Sequence, residues 1–220
     1  MTAYISLGYT VTRPVEREHW MNENLPSRIL SFSECIAPHI PNGSLVDVTR
    51  GVSRAIQELE IGESTAIRLH SMLERQFQKT WFWPRHLVCM ATAREILTVL
   101  HEESRDWLIL EVFAEESSRQ ELLETIDGSS PHRLDGDWLR TATPQAPGPI
   151  LGFEVYNIWE GHSWHCHDLS STVEQHLGFR VGAWGLLPDL EQARQATQWI
   201  AQEAVTDKGP WISIALCQVT

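Results

Sequence analysis

Two rhythms alternate along the chain: apolar positions three or four apart, the period of a helix with one buried face, and short runs of β-branched and aromatic residues, the mark of a strand. The first predicts a helix in "DVTRGVSRAIQEL", where Val48, Val52, Ala55, Ile56 and Leu59 form the stripe and Asp47 is a good N-cap. It predicts a second in "ESTAIRLHSMLERQFQ" through Ala66, Leu69, Met72, Leu73 and Phe77. A third falls in "TAREILTVLHE", where Thr92 and Glu95 have capping-box spacing. A fourth, "SSRQELLETI", carries the same spacing at Ser118 and Glu121, with Gly128 expected just beyond its end.

The second rhythm predicts strands in "WLILEVFA" and the C-terminal "WISIALCQV", both apolar on both faces as interior strands are. "ILGFEVYNIW", 150–159, is a third strand, and "AYISLGYTV" a fourth, with Gly8 placed as at a bulge. The class this implies is α+β, a mixed sheet of several strands with helices packed on it. One compact unit over 1–220 is expected, with an N-terminal α/β part at 1–126 and a C-terminal β-α-α-β part at 150–220. That second part reads as the strand at 150, a short helix ending near Leu177, a helix from Leu190 to about Val205, and the final strand. Between them, 127–149 is dense in Gly, Pro, Ser and Asp and reads as a linker, with "HRLDGDWLRT" as an edge hairpin.

Charge narrows the classes of partner. With 29 acidic residues against 17 basic ones the net charge is −12, which repels phosphate backbones, and the arginines are scattered, so no nucleic acid is expected. No apolar run approaches the roughly twenty residues needed to span a bilayer, so no membrane is expected either. The N-terminus lacks the basic start and apolar core of a signal peptide, and Cys35, Cys89, Cys166 and Cys217 form no C-x-x-C pair; a reducing cytoplasm fits. Serine-hydrolase elbows, phosphate loops and dinucleotide fingerprints are missing from the text.

One stretch carries candidate chemistry. "GHSWHCHD", 161–168, packs His162, His165, His167, Cys166 and Asp168 into eight residues. These are donors of the type and number zinc takes. Extended chain would put His165 and His167 on one face and Cys166 on the other, whereas helix would bring His165 to Asp168; neither converges all the donors. The local text also reads as a strand-to-helix corner: Ser171 and Glu174 make a capping box and Gly178 a helix stop, so Trp164 and Cys166 would tuck inward while the imidazoles line the rim. A nucleophilic Cys166 between two histidines is a further reading, weakened because sequence neighbours on extended chain point apart.

The ten tryptophans supply another class of chemistry. Trp107, Trp199 and Trp211 lie within or at the start of apolar elements and read as core. Trp138, Trp159, Trp164 and Trp184 fall in or beside loops near acidic residues, the composition of a protein-binding face.

The C-terminal third, "LGFEVYNIWEGHSWHCHDLSSTVEQHLGFRVGAWGLLPDLEQARQATQWI", resembles the tails of small acidic bacterial proteins, some of which are immunity partners that neutralise antibacterial toxins. The resemblance lies in element lengths and aromatic positions, and transfers no functional residue. It implies a cytoplasmic protein without cofactor that blocks a partner, such as a basic toxin, sterically. The alternative is a metal-dependent, hydrolase-like enzyme holding zinc through His162, His165 and His167.

Overall fold

The computed structural model describes residues 2–40, 45, 50–77, 88–129, 136–203 and 209–219. At its centre lies the apolar run Leu108–Glu115 (β5), flanked by Tyr4–Thr12 (β1) and by the C-terminal Trp211–Val219 (β7). His39–Ile40 (β4) extends the sheet beyond β1, and Ile150–Asn157 (β6) beyond β7, giving the order β4-β1-β5-β7-β6. The α+β class holds, and every pairing in this sheet is antiparallel rather than a mixture. Because β7 inserts between β5 and β6, the N- and C-terminal parts of the chain share one sheet.

Gly8 is the bulge that the sequence suggests. The register of β1 on β5 shifts between Ser6 and Gly8, where φ is 126°, a conformation that suits a residue without Cβ. The extra residue reverses which face each side chain meets. Ile5 and Leu7 join one core with Leu110 and Val112, while Val11, beyond the bulge, joins Ile109 in the core on the opposite face.

That second face is covered by two groups of helices. Gly51–Leu59 (α1), Glu63–Phe77 (α2) and Met90–Leu100 (α3) bury Leu59, Leu69, Leu73 and Ile96 against Val11 and Ile109. After Arg119–Ser129 (α4) and Gly136–Thr141 (α5), the helices Leu169–Leu177 (α6) and Leu190–Glu203 (α7) bury Val173, Ala193, Ala196 and Ile200 against Phe113, Val155 and Ala215. On the first face lie Leu122 of α4, Leu139 of α5, Phe32 and Leu186. A two-stranded ribbon, Val15–Glu16 (β2) with Arg28–Ile29 (β3), closes over its own small cluster of Met21, Leu25 and Ile29.

Several element ends differ from expectation. Asp47 lies outside the described residues; α1 begins at Gly51, and Ile56 sits at the edge of the stripe, 36% exposed. Thr92 is inside the first turn of α3 rather than at its cap, because the helix already begins at Met90. Helix α4 runs through Gly128 to Ser129. The expected hairpin in "HRLDGDWLRT" is a helix where it is described, since burying Leu139 on the sheet favours a short amphipathic turn over an unpaired edge. The C-terminal β-α-α-β order matches, down to the left-handed Gly178 (φ 69°) that stops α6.

Candidate functional site

Strand β6 is an edge, and an edge needs covering. The chain covers it with "GHSWHCHD" itself: the Asn157 amide donates to the His162 carbonyl at 2.8 Å and the Trp164 amide to the Val155 carbonyl at 2.9 Å. Further along, Phe153 and Leu187 exchange two backbone bonds of 2.9 Å. The close return of 186–187 requires Gly152, where a Cβ would stand 2.5 Å from Leu186 Cβ.

The return is a tight turn built by one side chain. Asn157 Oδ1 accepts the amides of Trp159 and Glu160, each at 3.0 Å, and Gly161 takes a left-handed φ of 74°. Trp159 is held at the tip, 60% exposed, with one face of the indole against the backbone of Gly209, where a Cβ would come within 2.8 Å of the ring. Glu160 follows it, exposed.

Beneath this turn sits a buried carboxylate. Strand alternation sends Phe153 and Val155 towards α6 and α7, and Glu154 and Tyr156 to the other face. Glu154 is fully buried; its Oε1 accepts the Ser31 hydroxyl at 2.7 Å and its Oε2 the Phe32 amide at 2.6 Å. Burial pushes the carboxyl up to about 7, against the opposing pull of donors on Ser163, Ser31 and Phe32. Tyr156 packs on Phe32 at 5.0 Å, and burial, with Glu34 and Glu154 adding to it, holds its hydroxyl well above the usual range.

The 31–40 segment is tied down on both sides of Glu154. His39 Nε2 lies 2.8 Å from the Ser31 carbonyl, which can only accept, so Nε2 carries a proton, while Nδ1 meets the Thr10 hydroxyl at 3.2 Å. Ser33 donates to the Gly161 carbonyl at 3.0 Å and lies 3.5 Å from Cys166 Sγ. Burial pushes the Cys166 thiol up to about 12, which disfavours the thiolate a nucleophile needs.

The structure separates the three histidines. His162 and His167 meet edge to face with ring centroids 5.5 Å apart. His165 does not line the rim: it is fully buried against Trp164, centroids 5.1 Å apart, and among the described residues neither ring nitrogen has a hydrogen-bond partner. Burial, with the Gly185 backbone acting weakly the other way, lowers its pKa to about 4. The cause of the separation is backbone conformation, since left-handed turns at His167 (φ 57°) and Asp168 (φ 54°) break the alternation that would align the rings. Among the described residues, no group of three or more His, Cys, Asp or Glu is placed to hold a metal ion.

The expected capping box is also reassigned. Ser171 donates to Asp168 Oδ1 at 2.6 Å, and Glu174 accepts instead from Asn22 at 2.8 Å and Asn24 at 3.0 Å, pinning α6 to the β2–β3 ribbon.

Among the loop tryptophans whose side chains are described, Trp159 is the exposed one. Trp164, expected on a binding face, is 1% exposed and packs in the core beneath α6 and α7. Trp184 is half-buried against the first-face core, and its carbonyl accepts the Leu30 amide at 3.0 Å. Trp138 falls on α5, and its side chain lies outside the described residues.

Sequence reasoning passed over Glu154, Ser31, Ser33 and His39. For Glu154 a signal exists, a lone acid in the middle of an otherwise apolar strand; two of its partners, Ser31 and Phe32, lie more than a hundred residues away and leave no local mark. Elsewhere, an open groove of about 480 Å³ runs between α2 and α3, lined by Ile67, Met72 and Val99 with Arg68, Arg75 and Glu95. Among the described residues no helix is long and apolar enough to cross a membrane. No known protein family matches the chain, and no curated protein or solved structure is detectably similar to it.

Proposed function

We propose that this chain is a protein-binding protein of immunity type, which neutralises a basic partner by covering its surface, and that Trp159 is the anchor of its binding face. The observation that carries this reading is the preorganised exposure of Trp159: an indole 60% open to solvent, backed by Gly209 and fixed by the Asn157 turn. Exposed large aromatic rings held in one conformation bind at low entropic cost and dominate interface energies. The net charge of −12 supports a partner of opposite sign, and a toxin as that partner rests on the resemblance of the C-terminal third, in element lengths and aromatic positions, to small acidic bacterial proteins, some of which are immunity partners.

The alternative, a metal-dependent enzyme, is less favoured by the geometry. His165 is fully buried, apart from the paired rings of His162 and His167, so a metal would rest on those two rings and on donors brought from elsewhere.

Co-purification of the full chain with the product of the adjacent gene tests the reading. A complex with a basic protein that is toxic when expressed alone, and harmless when this chain accompanies it, is the expected result. Toxicity that this chain leaves untouched would overturn it.

A further inference from the structure

We propose that Cys35 and Cys166 are a thiol-oxidation site, closing to a reversible intramolecular disulfide in the presence of a small disulfide such as oxidised glutathione. The two cysteines are remote in sequence, yet one hydroxyl meets the backbone amide of the first and the sulfur of the second. Ser33 Oγ lies 3.4 Å from the Cys35 amide and 3.5 Å from Cys166 Sγ, so that amide is within two hydrogen-bond lengths of the opposing sulfur. Both thiols are free, Cys35 exposed and Cys166 buried. Cys35 stands on a surface turn closed by the amides of Ile36 and Ala37 on the Ser33 carbonyl, each at 3.0 Å. Closing the pair to the ~2.05 Å of an S–S bond requires the Cys35 side chain to turn past Ser33 towards Cys166.

The asymmetry of the pair sets the order of steps. The exposed Cys35 thiolate attacks the oxidised glutathione, forming a mixed disulfide and releasing one glutathione thiolate. Cys166, giving its proton to solvent base, then attacks the Cys35 sulfur and expels the second glutathione. Two protein thiols are oxidised, one glutathione disulfide is reduced to two thiols, and two electrons pass between them. Because burial disfavours the Cys166 thiolate, the second step is slow and accelerates with pH.

The bond would fasten the 31–40 segment, whose Ser31 and Phe32 hold Glu154, to the 161–168 turn. It stands independently of what Trp159 binds. Cys217 lies buried in β7, whereas Cys89 is exposed beside α3, 3.4 Å from the Thr92 hydroxyl, and can take up a glutathione adduct of its own.

The test is incubation of the full chain with oxidised glutathione at pH 8, followed by thiol titration and peptide mapping. The expected result is joint loss of the Cys35 and Cys166 thiols, a linked peptide pair containing the two, and return to four free thiols on reduction, with Cys89 carrying at most a glutathione adduct. Cys35→Ser, at an exposed position that leaves the core intact, should abolish the link, and Cys89→Ser should preserve it. A thiol count that stays at four, a reaction that stops at a glutathione adduct on Cys35 with Cys166 still reduced, or a link mapped to another pair would each overturn the proposal.

Discussion

Glu154 and Ser31 are joined by a 2.7 Å hydrogen bond across 123 positions of sequence, wholly inside the protein. That bond makes the β6 corner a tertiary construction, since the carboxylate on β6 is solvated by the 31–33 segment rather than by water. With a folded-state pKa of about 7 against an ordinary 4.5, the folded protein binds the Glu154 proton more tightly than the unfolded chain does. The associated stability is full below pH 4.5 and is lost as pH rises through 7, on the order of 3 kcal/mol. Glu154→Gln should remove that slope. Urea unfolding at several pH values between 4.5 and 8 reads it directly.

His165 carries the opposite sign. Its pKa falls from 6.5 to about 4 on folding, so its contribution is full above pH 6.5 and is lost as pH falls towards 4, again on the order of 3 kcal/mol. In the parent protein the two slopes oppose each other between pH 4.5 and 6.5. Glu154→Gln should therefore become more stable with rising pH in that window, and His165→Phe less stable. Identical pH profiles for the two variants would contradict the assignment.

Gly152 is predicted to be intolerant of any side chain. Alanine there would place Cβ 2.5 Å from Leu186 Cβ and 3.0 Å from the Leu187 carbonyl, and the backbone must separate to admit it. Gly152→Ala should cost about 1–3 kcal/mol. Gly178→Ala, in open space but left-handed at φ 69°, should cost about 1 kcal/mol. Denaturant midpoints of the two variants give the comparison.

Much of the frame was legible because it is local. The apolar runs marked β5 and β7 as interior strands, Gly8 marked a bulge, and Gly178 marked the end of α6. The site was less legible because it is not local. The histidines looked like a cluster in sequence, but the chain leaves the extended conformation at His165 (φ −77°, ψ −23°) and turns left-handed at His167, so His165 is buried while His167 is exposed. Trp164 looked like a loop residue because the edge it covers, β6, is defined only after β7 inserts beside it. Glu174 looked like a helix cap, and its real partners, Asn22 and Asn24, lie on a distant ribbon.

Gly209 is predicted to act through Trp159. A Cβ at this position, where φ is 131°, would press on the indole at 2.8 Å and tilt it from its seat. Gly209→Ala should leave the far-ultraviolet circular dichroism unchanged while shifting the fluorescence of Trp159 and weakening partner binding.

The most direct test of the binding face is calorimetric titration of the co-purified partner with the parent protein, Trp159→Ala and Trp20→Ala. Trp20, 44% exposed on the β2–β3 ribbon, is the control for general loss of aromatic surface. Loss of the anchor should weaken Kd by about 30-fold, roughly 2 kcal/mol, as at an interface hot spot, with Trp20→Ala changing it by less than about threefold. Equal affinity for the parent and Trp159→Ala would contradict the account.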